Sequence, residues 1–243
     1  MKTVIYLIFI GLISINLTGQ LNDSLKLLGP KYTFFRHNVI MFNEYLDINE
    51  KGYNTTQIRY KTPIGKGHWN VRVDVPVVSD ESSGKNGLGD LYASVAYIPY
   101  MTKKIGYWIR GRVFAPTASS SGLGYGKWLF SPTVGIGKTF SKNFTYLLSY
   151  EHRFSFAGQS DRSDYHRGII DTSLIFSPKN FWFSFNPNLF FDYENNVRTS
   201  AFAAFEIGRQ LSTGFDFYIR PSFGIGDYRP YNTGFEFGLV TTW

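Results

Sequence analysis

The chain of 243 residues contains no cysteine, which excludes disulfides, thiolate metal sites and a lipid anchor on an N-terminal cysteine. Aromatic residues make up 19% of it while the mean hydropathy is only −0.16, a pairing that calls for rings alternating with polar residues rather than for long apolar helices. The formal charge of +7 would suit nucleic acid or an anionic lipid surface, and a secretory leader at the start of the chain argues against nucleic acid.

That leader begins with Lys2, continues as an apolar stretch from Val4 to Ile15, and closes with Asn16, Leu17, Thr18, Gly19 and Gln20. The order of charged, apolar and small residues is that of a signal peptide, expected over residues 1–19. The apolar run is shorter than the roughly 20 residues of a membrane-spanning helix. No later segment approaches that length either, and lipid admits only helices and closed barrels. Residues 20–243 are of one-domain size, with Gly, Pro and Asn recurring as turn residues and no linker between halves.

Strands are expected in chain order at 32–42, 53–62, 68–78, 90–99, 106–116, 127–138, 144–155, 168–177, 181–192, 199–209, 215–224 and 233–243. The third is the clearest: Trp69, Val71, Val73, Val75 and Val77 share one face, and Asn70, Arg72 and Asp74 the other. Most segments are near the 9 to 11 residues of a tilted transmembrane strand, and their even number suits a closed bacterial barrel. Short links near Lys103, Ser141, Pro178 and Thr213 alternate with longer polar ones at 79–89, 117–126, 157–167, 193–198 and 225–232. Short periplasmic turns and long external loops alternate in this way. The fold class is therefore all-β, an antiparallel up-and-down transmembrane barrel of about twelve strands. The expected location is the bacterial outer membrane, with its lipid and lipopolysaccharide as partners beside basic loop residues such as Lys85, Arg162 and Arg229. The last strand, with Phe235, Phe237, Leu239 and Trp243 on one face, resembles the C-terminal signature through which outer-membrane barrels engage the barrel-assembly machinery.

With the apolar faces against lipid, the opposite faces carry Arg59, Arg72, Arg110, Arg112, Arg153 and Arg220 together with Asp74, Glu151, Asp171, Glu206, Asp216 and Glu236. These are the candidate lumen-lining residues. They can act as paired charges that fill a small barrel or as a polar conduit that selects solutes. Trp108, Phe114, Trp182, Phe190 and Tyr218 fall on the same face, and rings beside arginines suit aromatic or amphipathic solutes as well as simple packing.

Chemical motifs are sparse. The segment Thr133 to Thr139, TVGIGKT, has Pro132 where a phosphate-binding loop needs its first glycine and lacks the strand-loop-helix context. His37, His68, His152 and His166 form no short metal-binding pattern, so no metal or other cofactor is expected. A lipid hydrolase is the rival class, with His152 and Ser149 or Ser155 as its candidates. Outer-membrane lipases resemble one another in a His-x-Ser-Asn-Gly type motif, whereas this chain reads His152, Arg153, Phe154, Ser155, Phe156. A non-enzyme is expected, and a closed structural or adhesive barrel is the third class.

At Gly87 to Tyr97 the sequence reads GLGDLYASVAY, and a strand later VFAPTASSSGLGYGKWLFSPTVGIGKTF. Together these segments resemble the outer-membrane family labelled "MetA-pathway of phenol degradation", on Gly87, Leu88, Gly89, Asp90, Pro116, Thr117, Gly122 and Gly124. The resemblance covers the middle of the chain. It implies a transporter-like barrel without enzymatic activity, passing small aromatic or hydrophobic molecules. In physical terms Gly89 and Asp90 suit a loop-to-strand entry, and Pro116 with Thr117 a strand exit.

Overall fold

The structure, a computed structural model, describes residues 34–65 and 68–243; the expected signal peptide lies outside the described residues. The described residues form thirteen strands and no helix: β1 (Asn38–Ile48), β2 (Lys51–Ile64), β3 (Trp69–Asp80), β4 (Lys85–Leu88), β5 (Tyr92–Met101), β6 (Ile105–Phe114), β7 (Lys127–Ser141), β8 (Phe144–Gly158), β9 (His166–Phe176), β10 (Phe181–Asp192), β11 (Arg198–Ser212), β12 (Phe215–Ile225) and β13 (Thr233–Thr242).

All pairings are antiparallel, and β13 returns to β1 in register from Asn38↔Thr242 to Leu46↔Gly234. That closure leaves no open sheet edge, as a wall immersed in lipid requires. The short β4 pairs only with the end of β3, from Val77↔Leu88 to Asp80↔Lys85, so the closed wall has twelve strands.

The first strand differs from expectation. It runs over Asn38–Ile48 rather than 32–42, because Asn49 and Glu50, at φ 53° and 64°, make a two-residue turn that pairs Ile48 with Lys51. Positive φ at both central residues is the hairpin turn that matches strand twist. Both faces of β1 are apolar, Ile40 and Phe42 inward and Val39 and Met41 outward, so alternation marks its limits poorly. The links at one rim are short, at 102–104, 142–143, 177–180 and 213–214. At the other rim they are mostly long, at 81–91, 115–126, 159–165, 193–197 and 226–232; the Asn49–Glu50 turn is the short exception.

Burial shows which face looks inward. On β3, Trp69, Val73, Val75 and Val77 are exposed, while Asp74 is 0% exposed. A carboxylate at the centre of the strand is thus inside and the valines are outside, the inverse of a soluble core and the requirement of a lipid-facing wall. Rings cluster outside near both rims. Trp69–Tyr97 (4.4 Å) and Phe140–Phe144 (5.6 Å) lie at the short-turn rim. Phe130–Phe154 (6.0 Å) and Trp128–Phe156 (6.4 Å) lie at the long-loop rim. Two such girdles are how a barrel wall meets the two interfaces of a bilayer.

Inside, large rings stand opposite glycines. Trp108 pairs with Gly135, Trp182 with Gly208 and Tyr218 with Gly238, and in each pair the ring fills the place a glycine Cβ would take. The rings therefore lie along the wall instead of projecting across the lumen. Gly135 belongs to the TVGIGKT segment, whose glycines thus have a packing role in β7.

Candidate functional site: the charged lumen wall

Each of the twelve candidate residues occupies an inward register position, because each shares the parity of buried residues on its strand. They gather into separate groups. Asp74 accepts from Arg59 Nε at 2.6 Å and from an Arg72 guanidinium nitrogen at 2.9 Å, and Gln57 also donates to it. The same Gln57 amide nitrogen donates to the Tyr92 hydroxyl at 2.6 Å.

Across β6, β7 and β8 a single carboxylate, Glu151, faces three arginines. Arg110 donates to it at 3.0 Å, Arg153 at 3.0 Å through Nε, and Arg112 stands off at 3.8 Å. Ser131 supplies a further hydrogen bond at 2.9 Å. A carboxylate has lone pairs enough for this shell but one negative charge against three positive. The Nε atoms of Arg110 and Arg112 are buried without a hydrogen-bond partner among the described residues.

On the far wall Glu236 accepts from the Tyr218 hydroxyl at 2.7 Å and from Arg220 at 3.4 Å, and Glu206 accepts the indole N–H of Trp182 at 2.7 Å. Asp216 sits inward near the start of β12, and Asp171 sits mid-strand on β9 between Ser149 and Asn188 in register. Asp171 is inward yet exposed, so the wall leaves open space beside it.

Further inward charges extend the pattern. Lys61 follows Arg59 on the same face of β2, where parity alone would have placed it. Glu44 faces Glu236 across β1 and β13, and the misplaced first strand hid it from sequence reasoning. The lumen is consequently divided by charge. Arg59, Lys61, Arg72, Arg110, Arg112 and Arg153 stand on the β2–β8 wall against Asp74 and Glu151. Glu44, Asp171, Asp192, Glu206, Asp216 and Glu236 stand on the β9–β13 and β1 wall against Arg167, Arg198 and Arg220. Opposed walls of this kind set up a field across the lumen.

The long loops fold over the basic side. Tyr125 packs against Phe114 (6.0 Å) and Tyr165 (5.2 Å), above the Arg153 guanidinium. Burial pushes the Tyr165 hydroxyl up to about 12. The residues of the family resemblance hold this arrangement: Asp90 accepts the backbone N–H of Ala118 at 3.1 Å and of Tyr125 at 2.5 Å, and Thr117 accepts that of Leu91 at 2.9 Å. Gly124 lies where a side chain would strike Asp90, and Gly87 where one would strike Ser119. Their positions make them a clasp between loops 81–91 and 115–126.

The hydrolase candidates do not assemble. His152 is outward while Ser149 is inward, on opposite faces of β8. Ser155 donates to Asp164 at 2.9 Å, and the partners of His152 are Tyr150 (3.2 Å) and His166 (Nε2 to Nε2, 3.0 Å). The fold thus brings together two histidines fourteen positions apart in sequence, through the β8–β9 register, which no local pattern could show. Among the described residues no group of three or more His, Cys, Asp or Glu is placed to hold a metal ion.

No family model and no curated protein matches the chain. Solved structures do. An outer membrane channel from Pseudomonas putida aligns with TM-score 0.69 at 9% identity, over 86% of this chain and 95% of that one. The NanC porin aligns with TM-score 0.62 at 13% identity, over 85% and 99%. CymD, described as a monoaromatic hydrocarbon channel, aligns with TM-score 0.52 at 8% identity, over 93% and 94%. At these identities the likeness is one of architecture, and the chain has the fold of bacterial outer-membrane channel barrels.

Proposed function

We propose that this protein is an outer-membrane channel that admits small solutes through the lumen, with its short-turn rim in the periplasm and its long loops outside. The observation that carries this reading is the exposure of Asp171 at an inward, mid-strand position: the wall leaves open space inside the barrel there. On the β6 strand, buried arginine nitrogens that have no partner among the described residues also speak for an open interior rather than a fully paired plug. The solutes are small molecules with aromatic or hydrophobic bodies, the class that the family resemblance implies. Inward rings pressed flat against the wall are compatible with the passage of a planar body. Lipopolysaccharide and outer-membrane lipid are the surrounding partners, and the barrel-assembly machinery inserts the chain through its last strand.

The test is conductance of the refolded protein in a planar lipid bilayer. Reproducible unitary steps are expected. A folded barrel that never conducts would overturn the channel reading in favour of a closed structural barrel.

A further inference from the structure

The pairings of five strands place one continuous row of side chains on the inner wall. Lys61 on β2 is opposite Arg72 on β3, Arg72 is opposite Ser94 on β5, Ser94 is opposite Arg112 on β6, and Arg112 is opposite Ser131 on β7. Arg153 on β8 then donates to Ser131 at 3.0 Å. Every member of the row is a cation or a hydroxyl. Because strands tilt in a barrel, a row along the hydrogen-bond direction climbs as it crosses the wall. This one runs from Lys61, beside the start of β1 at the short-turn rim, to Arg153 beneath Tyr125 and Tyr165 at the long-loop rim.

The two carboxylates of this wall lie off the row and at its ends. Asp74 pairs with Arg59 and Arg72, and Glu151 with Arg110 and Arg153, one negative charge against two positive in each case. Two members of the row, Arg112 and Lys61, are undercompensated. Among the described residues Arg112 has one ionic contact, at 3.8 Å, and its buried Nε has no partner. Lys61 is 8% exposed and has no ion-pair partner among the described residues. A buried cation without a counter-charge is costly, and a solute anion would relieve it. Two rings back the row: Tyr92 under Arg72 and Arg112, and Phe114 under Arg112 and Arg153, with the ring centroids 4.9 Å apart.

We infer that the Lys61–Arg72–Arg112–Arg153 row is an anion track, and that its solutes are small organic carboxylates carrying an aromatic ring. The carboxylate moves from one guanidinium or ammonium to the next, with serine hydroxyls between them, while the ring follows the Tyr92–Phe114 surface. Successive weak sites of this kind let an ion enter and also leave. The inference rests on the channel reading and narrows it.

The test is the reversal potential of the refolded full chain in a planar bilayer under a potassium chloride gradient, followed by benzoate and then neutral benzyl alcohol as probes. A chloride-selective current that benzoate blocks, and benzyl alcohol leaves alone, is expected. Arg112→Gln should lower the anion preference about fivefold, the effect of one unit charge about 4 Å from an ion in a water-like lumen. Arg112→Lys should retain most of it. Lys61→Gln gives the same readout if the Arg112 variants do not refold. A current that favours potassium, or that both probes affect equally, overturns the track while leaving the channel. No current at all overturns both.

Discussion

Trp182 lies directly opposite Gly208 in the β10–β11 register, its indole covering the glycine and its N–H held by Glu206 at 2.7 Å. A Cβ at Gly208 would meet the six-membered ring, so Gly208→Val must swing Trp182 off the wall and break its bond to Glu206. Overpacking of this kind costs about 1–3 kcal/mol. A lowered urea midpoint and a red-shifted tryptophan emission are expected in the variant. An unchanged midpoint would show that the ring has room to move and that the glycine is not required.

Among the described residues Glu151 is the one carboxylate in ionic contact with Arg110, Arg112 and Arg153. Glu151→Gln leaves those guanidinium groups facing one another in a largely enclosed place. Removing one partner from a buried ionic group costs about 3–5 kcal/mol. Denaturant unfolding should show a loss of that order, and folded variant should prefer anions more strongly than the parent in the reversal-potential measurement. If stability and selectivity both stay at parental values, the arginines are compensated by water and the cluster does not govern the lumen.

Much of this was legible in the sequence because a strand has a period of two. Once Trp69 to Val77 is set against lipid, Arg72 and Asp74 must point inward, and the same step works strand by strand as far as Glu236. Alternation fails where both faces are apolar. Ile40 and Phe42 turn inward to pack with Trp182, Tyr218 and Val240, so over residues 39–42 both faces of β1 are apolar and alternation does not mark where the strand begins. Cross-strand partners were not legible either, since they depend on turn lengths and on register shifts such as those between Tyr97 and Tyr100 and between Trp128 and Leu129. The row from Lys61 to Ser131 and the contact of His152 with His166 exist only through that register. The Gly-Leu-Gly-Asp and Pro-Thr segments were visible as motifs, and folding shows them closing one loop onto another.

Asp90 is the keystone of that closure, being 5% exposed and bonded to two backbone N–H groups of loop 115–126. Asp90→Ala would leave both donors without partners, a local penalty of about 1–3 kcal/mol for each buried group. The barrel wall does not depend on these bonds. Faster amide exchange at Ala118 and Tyr125, and quicker chymotryptic cleavage after Tyr125, are expected without change in the unfolding midpoint of the wall. Equal exchange rates in parent and variant would remove the clasp from the account.

Tyr231 gives the structure a dependence on alkaline pH. It stands in loop 226–232, only 8% exposed, with its ring 5.5 Å from Phe202 inside the mouth of the barrel. Burial pushes its hydroxyl up to about 12, against about 10 for a free tyrosine. An acid whose folded value is raised holds its proton more tightly when folded, so its contribution is fully present below about 10 and fades as pH climbs towards 12. The loop should therefore loosen in that window, and Tyr165, raised by burial to about 12 in loop 159–165, should add to the effect. Tyrosinate absorbance during an alkaline titration measures this directly. Tyr231→Phe should remove one late-titrating group and leave loop 226–232 protected at pH values where the parent opens. A Tyr231 that titrates near 10 would mean that the loop does not hold its ring in the mouth of the lumen.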